Sequence, residues 1–143
     1  MKVAKLFQIH STKMNEIFQS NRYFILFDII ASHGQLLLRS QKTEENALNI
    51  DIVFYDTTFI QLFSRLSSVR ISIVSKDVKD FNYESVKKYL DHSDTHLFQI
   101  ESNNEKYHIA ASFLRVYENQ MEFSESSLHA IDKGEEIASS LSD

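Results

Sequence analysis

The stretch Tyr23-Phe-Ile-Leu-Phe-Asp-Ile-Ile-Ala-Ser-His-Gly-Gln-Leu-Leu-Leu-Arg39 decides how the fold is read. It is the densest apolar run in the chain and holds one of its two glycines. Two extended halves around His33-Gly34 predict a β-hairpin, because glycine accepts the positive φ needed at the second turn position. A two-residue turn there pairs Ile30 with Leu37, Ile29 with Leu38 and Asp28 with Arg39. Side chains alternate across a strand. One face then carries Tyr23, Ile25, Phe27, Ile29, Leu36 and Leu38. The other carries Phe24, Leu26, Asp28, Ile30, Leu37 and Arg39. Two largely apolar faces predict a central hairpin in a sheet covered on both sides.

Outward from this hairpin, Asn49 to Tyr55 alternates cleanly. Ile50, Ile52 and Phe54 point one way; Asp51, Val53 and Tyr55 point the other. Val69 to Val74 is a further strand. In residues 56–68, Phe59, Leu62, Phe63 and Leu66 fit helical spacing behind a Thr58–Gln61 capping box. The β-propensity of Thr57 to Phe63 instead favours a strand or irregular turn-and-strand there. His96 to Tyr117 predicts a second hairpin around Ser102-Asn-Asn-Glu105. There Glu101 faces Lys106, so opposite charges meet across the strands. The apolar register shifts after Phe113, which predicts a bulge. Met121 and Phe123 open another short strand. Helical spacing is clearest in two other places. Met14, Ile17 and Phe18 share a face behind a Ser11 cap, and Asn82 to Asp91 has an Asn cap with Phe81 and Val86 as a hydrophobic staple. Val3 to Ile9 is a strand or an extended lead-in.

At 143 residues with 43% hydrophobic side chains, the chain suits one globular domain. The fold class expected is therefore α+β: a mostly antiparallel sheet of about five to seven strands, packed with one or two short helices. Eleven Phe and six Tyr place aromatics in much of the core.

Composition excludes several chemistries. With no cysteine there is no disulfide, Fe–S cluster or thiolate nucleophile, which fits a reducing compartment. With two distant glycines and no proline there is no phosphate-cradling glycine loop and no nucleophile elbow, so turns must use Asn, Asp, Ser or His. No membrane span and no signal peptide is read, and the expected location is the cytoplasm. Of the net charge of −5, residues 124–143 carry −4, from five acidic side chains against Lys133. That acidic tail has the pattern of a weak amphipathic helix or a frayed end. The near-neutral remainder lacks the basic footprint of a nucleic-acid binder.

Four constellations could carry function. The first is a charge row, Asp28, Arg39 and Asp51, with Arg70 able to join it. Charges on an apolar face need partners, so the row reads first as a cross-strand ion-pair ladder and second as an acid–base site. The second is His92, His96 and His108 with Asp91 and Asp94. The hairpin register puts His96 and His108 on opposite faces, so neither a metal nor any other cofactor is expected. The third is the turn pair Ser32–His33, which is ordinary turn chemistry. The fourth is a surface built from Tyr55, Tyr83, Tyr89, Tyr107 and Tyr117, a residue type enriched in binding hot spots. The expectation is a small protein-binding module, an inhibitor of the immunity or antitoxin kind, with another protein as partner. Association with a second copy stays open. The alternative is a small enzyme using Asp28, Arg39 and Asp51 in a sheet-face cleft.

Overall fold

Alternating apolar strands with few turn residues to spare have to close a core by stacking on one another. In the computed structural model, which describes residues 3–5, 12–74, 86–87, 90 and 94–141, they do so as two antiparallel sheets. The chain runs β1 (Val3–Lys5), α1 (Thr12–Gln19), β2 (Tyr23–Ile30), β3 (Gln35–Ser40), β4 (Asn49–Tyr55), β5 (Phe59–Gln61), β6 (Arg65–Ser67), β7 (Arg70–Val74), β8 (His96–Ser102), β9 (Glu105–Ala111), β10 (Phe113–Asn119) and β11 (Glu135–Ser139). Short 3-10 turns occupy Ala31–His33 and Ser127–His129. The five-stranded sheet has the order β1-β7-β8-β9-β5 and the six-stranded sheet β11-β10-β4-β3-β2-β6. The mostly antiparallel character expected from the sequence is present, but two layers replace the single sheet.

One cluster fills the space between the layers. Leu36, Leu38, Ile50, Ile52, Phe54, Leu114 and Val116 of the larger sheet meet Ile71, Phe98, Ile100, Ile109 and Ala111 of the smaller one, with Phe18 of α1 closing an end. Phe54 and Phe98 meet edge to face across the layers, their ring centroids 5.4 Å apart. That arrangement suits the aromatic quadrupole.

The chain changes sheet between β1 and β2, between β4 and β5, between β5 and β6, between β6 and β7, and between β9 and β10. Where the chain leaves β4 and β6, Asp56 and Ser68 take φ of 54° and 56°. Asn21, Asn103 and Asn104 likewise adopt positive φ where helix α1 and the β8–β9 hairpin turn. These are the residue types that a proline-free, glycine-poor chain must use for such conformations. Between β9 and β10 Ser112 donates its N–H to Tyr55 O at 2.9 Å. The apolar shift after Phe113 is therefore a change of sheet and not a bulge.

The second hairpin has the register its charges predict, with Glu101 opposite Lys106, Phe98 opposite Ile109 and Gln99 opposite His108. The first hairpin differs from its prediction. The turn is a 3-10 turn closed by Gly34 in the left-handed region, and a bulge lies between Leu26 and Asp28. Asp28 therefore faces Leu37, and Arg39 faces Ile25. A one-residue bulge inverts the faces before it. Phe24 is buried with Leu36 and Leu38, while Tyr23 is exposed.

Residues 56–68 form two short strands that join different sheets. The helix expected over 82–91 lies outside the described residues except for Val86, Lys87 and Leu90, which are helical. Val86 is buried against the cluster of Val74, Leu97 and Ala110 on the outer face of the smaller sheet. Residues 120–134 form an irregular strap in place of the strand expected at Met121 and Phe123. The acidic tail is neither helix nor frayed: β11 pairs with β10 at the edge of the larger sheet.

Two substitutions test this frame. Phe54→Ala should lower the unfolding free energy by about 3–5 kcal/mol, the usual cost of emptying an aromatic core site. Gly34→Ala should lower it by about 1–3 kcal/mol, because φ is 58° and the new Cβ would lie 2.8 Å from the Thr57 backbone nitrogen. Urea denaturation reads both, with an unchanged m-value expected.

Candidate functional site

Odd positions of β3, β4 and β10 face away from the core, and the chain places its buried charges there. Arg39 and Asp51 stand directly opposite in the β3–β4 ladder. Arg39 Nε donates to Asp51 Oδ1 at 2.7 Å and its NH2 donates to Oδ2 at 2.9 Å. Both side chains are 0% exposed. The bulge at Phe27 lays that ring under the guanidinium, 4.2 Å from Cζ to the ring centroid. Such a contact is worth most where water is absent.

The remaining bonds of the pair tie down the strap. Arg39 NH1 donates to Glu125 O at 2.7 Å. Asn119 Nδ2 donates to Asp51 Oδ2 at 2.9 Å and to Lys133 O at 3.0 Å. Asn49 Nδ2 donates to Asn119 Oδ1 at 2.8 Å and to Met121 O at 2.9 Å. Lys133 Nζ donates to Ser127 O and Ala130 O at 2.6 and 3.0 Å. Between these anchors Leu128 is buried on Leu37 and Val53. Gly134 ends the strap with φ of 107°, where an added Cβ would lie 2.1 Å from Glu118 O.

Of the predicted row, Arg39 and Asp51 come together, and the other two members do not join them. Asp28 is held elsewhere. Its Oδ2 accepts from Ser126 Oγ at 2.6 Å and lies 3.4 Å from His129 Nε2, so it fastens the near end of the same strap. Arg70 is exposed in the other sheet, opposite Glu101. The donors and acceptors of the Arg39–Asp51 pair are spent within the protein. The arrangement can hold a loop; it offers a substrate no open carboxylate.

The tyrosines divide. Tyr83 and Tyr89 lie outside the described residues. Tyr107 is half-buried on the smaller sheet, where its hydroxyl donates to Glu105 at 2.8 Å and its ring lies near Phe63. Tyr55 and Tyr117 converge on the outer face of the larger sheet, with their hydroxyls 2.9 Å apart. Tyr55 stacks on Phe113 at 4.6 Å between centroids, and the Arg115 guanidinium lies 5.4 Å from the Phe113 ring. Arg115 also pairs with Glu136 at 2.7 Å. Burial, then the bond to Tyr55, pushes the Tyr117 hydroxyl far above the usual phenol range, so it stays a neutral donor and acceptor.

His33 is exposed at the end of the first turn. Of the histidines considered for metal, His92 lies outside the described residues, and among the described residues no three metal-ligating side chains converge. His108 is buried on the outer face of the smaller sheet, in a row with Gln61 and Gln99. Burial first, and Lys106 second, hold its pKa below the ordinary value.

Residues missed by sequence reasoning are Asn49, Asn119 and Lys133. They carry no local signal, because their partners are strap carbonyls set by tertiary structure. No protein-family model matches the chain, and no curated protein or solved structure is significantly similar to it.

Removing one partner of a buried ion pair strands the other. Asp51→Asn or Arg39→Met should each cost about 3–5 kcal/mol in urea denaturation. The pair of changes together should cost clearly less than the sum. Asp28→Asn should cost less than about 1 kcal/mol, as expected for a partly exposed charge.

His108 adds a pH dependence. Its folded pKa is depressed, so the unfolded imidazole takes up its proton first. Stability is therefore complete above the unfolded value of about 6.5 and declines as pH falls below it. In melting curves between pH 7.5 and 5, His108→Gln should flatten this part of the decline.

Proposed function

We propose that this chain is a protein-binding module, an inhibitor of the immunity or antitoxin kind acting in the cytoplasm, and that it covers its partner with the uncapped half of the outer sheet face. The observation that carries this reading is the row Tyr55, Phe113, Arg115 and Tyr117. Three aromatics and an arginine stand side by side on two regular strands, partly exposed and already fixed by their own contacts.

Tyr and Arg are the side chains that most often dominate interface energetics, and pre-ordered rings lose little freedom on docking. Inhibition by coverage needs no catalytic set. That agrees with the charged groups being spent on the strap. Among the described residues no helix is long and apolar enough to cross a membrane.

The test is affinity capture from the source organism with the purified chain, the double variant Tyr55→Ala/Tyr117→Ala and the control Lys106→Ala. Circular dichroism confirms that each is folded. A dedicated protein partner should be retained by the wild type and the control. The double variant should bind it at least about a hundredfold more weakly, as expected for two hot-spot side chains. Undiminished capture by the double variant, or recovery of no protein partner, overturns the reading.

A further inference from the structure

Two clefts meet at Arg22, beside the start of β2. One, of about 210 Å³, is lined by Tyr23, Ile25, Gln41, Thr43 and Asn46 together with Arg22, and reaches down to Ser40 and Arg39. The other, of about 300 Å³, shares Arg22 and Asn46 but also takes in Glu16 and Glu118. The two differ in charge. No acidic side chain lines the first cleft, although the chain as a whole carries a net charge of −5. Arg65 of β6 adds a further cation, standing opposite Ile25 of the cleft in the β2–β6 ladder.

Arg22 is held in place by neutral groups. Its Nε donates to Ser40 Oγ at 2.8 Å, and its NH2 donates to Leu48 O at 3.0 Å and Ser40 O at 3.4 Å. Among the described residues NH1 has no hydrogen bond and the guanidinium has no ion pair. Burial pulls its pKa down, and Glu118, across the second cleft, opposes this more weakly. A half-buried cation fixed by neutral acceptors, with one amine unused, is under-neutralised and pre-oriented. Beside it lie the ring of Tyr23 and the side chain of Ile25, which offer an apolar wall.

We propose that the first cleft binds a small monocarboxylate with an apolar body, its carboxylate on Arg22 NH1 and its body against Tyr23 and Ile25. The volume is below the roughly 300–1,000 Å³ of drug-sized pockets, so the ligand is of fragment size. A phosphate dianion suits the site less well. It calls for several converging donors or a backbone nest, and the cleft offers one free guanidinium amine and an apolar wall. This proposal is independent of the aromatic face, which lies on β4 and β10.

The experiment is an NMR titration of the full chain with benzoate, benzyl alcohol and inorganic phosphate, each at matched ionic strength. Benzoate should saturate and shift the amides of residues 22–25 and 40–46. Benzyl alcohol and phosphate should bind at least about tenfold more weakly, the value of one charge-assisted hydrogen bond. Arg22→Gln should weaken benzoate by the same factor. Because Arg22 also anchors Ser40 and Leu48, a second variant, Asn46→Trp, tests the cleft without touching those bonds. The Asn46 side chain is exposed and its backbone bonds to Thr43 are kept, so the indole should fill the cleft and abolish benzoate binding. Failure of benzoate to saturate, equal binding of benzyl alcohol, tighter binding of phosphate, or benzoate binding undiminished in Asn46→Trp overturns the proposal.

Discussion

The buried pairing of Arg39 with Asp51 is the interaction on which the outer layer depends. A strap of irregular chain cannot satisfy its own backbone, and carbonyls without partners are costly away from water. Here side chains of the sheet supply the donors. Arg39 takes Glu125 O, Asn49 takes Met121 O and Asn119 takes Lys133 O. Lys42 adds Gln120 O from the rim. Asp51 makes this possible by holding the guanidinium and Asn119 in position. A buried ion pair of this sort adds little net stability over a well-packed apolar pair. What it contributes is position: it selects one path for the strap across a face that packing alone would leave loosely specified.

The strap covers only part of that face. Leu37, Val53 and the charged network lie beneath it, while Tyr55, Phe113, Arg115 and Tyr117 remain partly open. The division follows from how the sheets are made. The crossings between layers include those at Asp56, Ser68 and Ser112, and they leave β4 and β10 adjacent although they are far apart in sequence. The strap can then leave β10, cross the face and return as β11 within one connection. The same crossings bring the two apolar faces together, and it is their shared cluster that fixes the layers.

Legibility in the sequence tracked the range of the interactions involved. The β8–β9 hairpin was readable residue by residue, since its register rests on an Asn-Asn turn and on Glu101 facing Lys106, all within a few positions. The faces of β3 and β4 were readable for the same reason, and so was the placement of Asp51 on the side of Arg39. The first half of β2 was not. Its bulge sets Phe27 beneath the guanidinium of Arg39, and Arg39 is held there by Asp51 of a third strand. No pattern within Tyr23–Ile30 reports that. The longer 3-10 turn at Ala31–Gly34 had already shifted Asp28 from Arg39 to Leu37, where its carboxylate meets Ser126.

The sequence by itself determined that the chain is rich in antiparallel strands, that its turns use Asn, Asp and Ser, and that glycine-loop and cysteine chemistry are absent. These follow from alternation and composition, which act locally. Only the tertiary structure decided that the strands form two layers, that residues 120–134 cross one of them, and that the acidic tail ends as an edge strand. It also decided which carboxylate receives Arg39. Strand order and face coverage depend on which distant apolar surfaces and polar groups find each other, and a two-residue period carries no record of that choice.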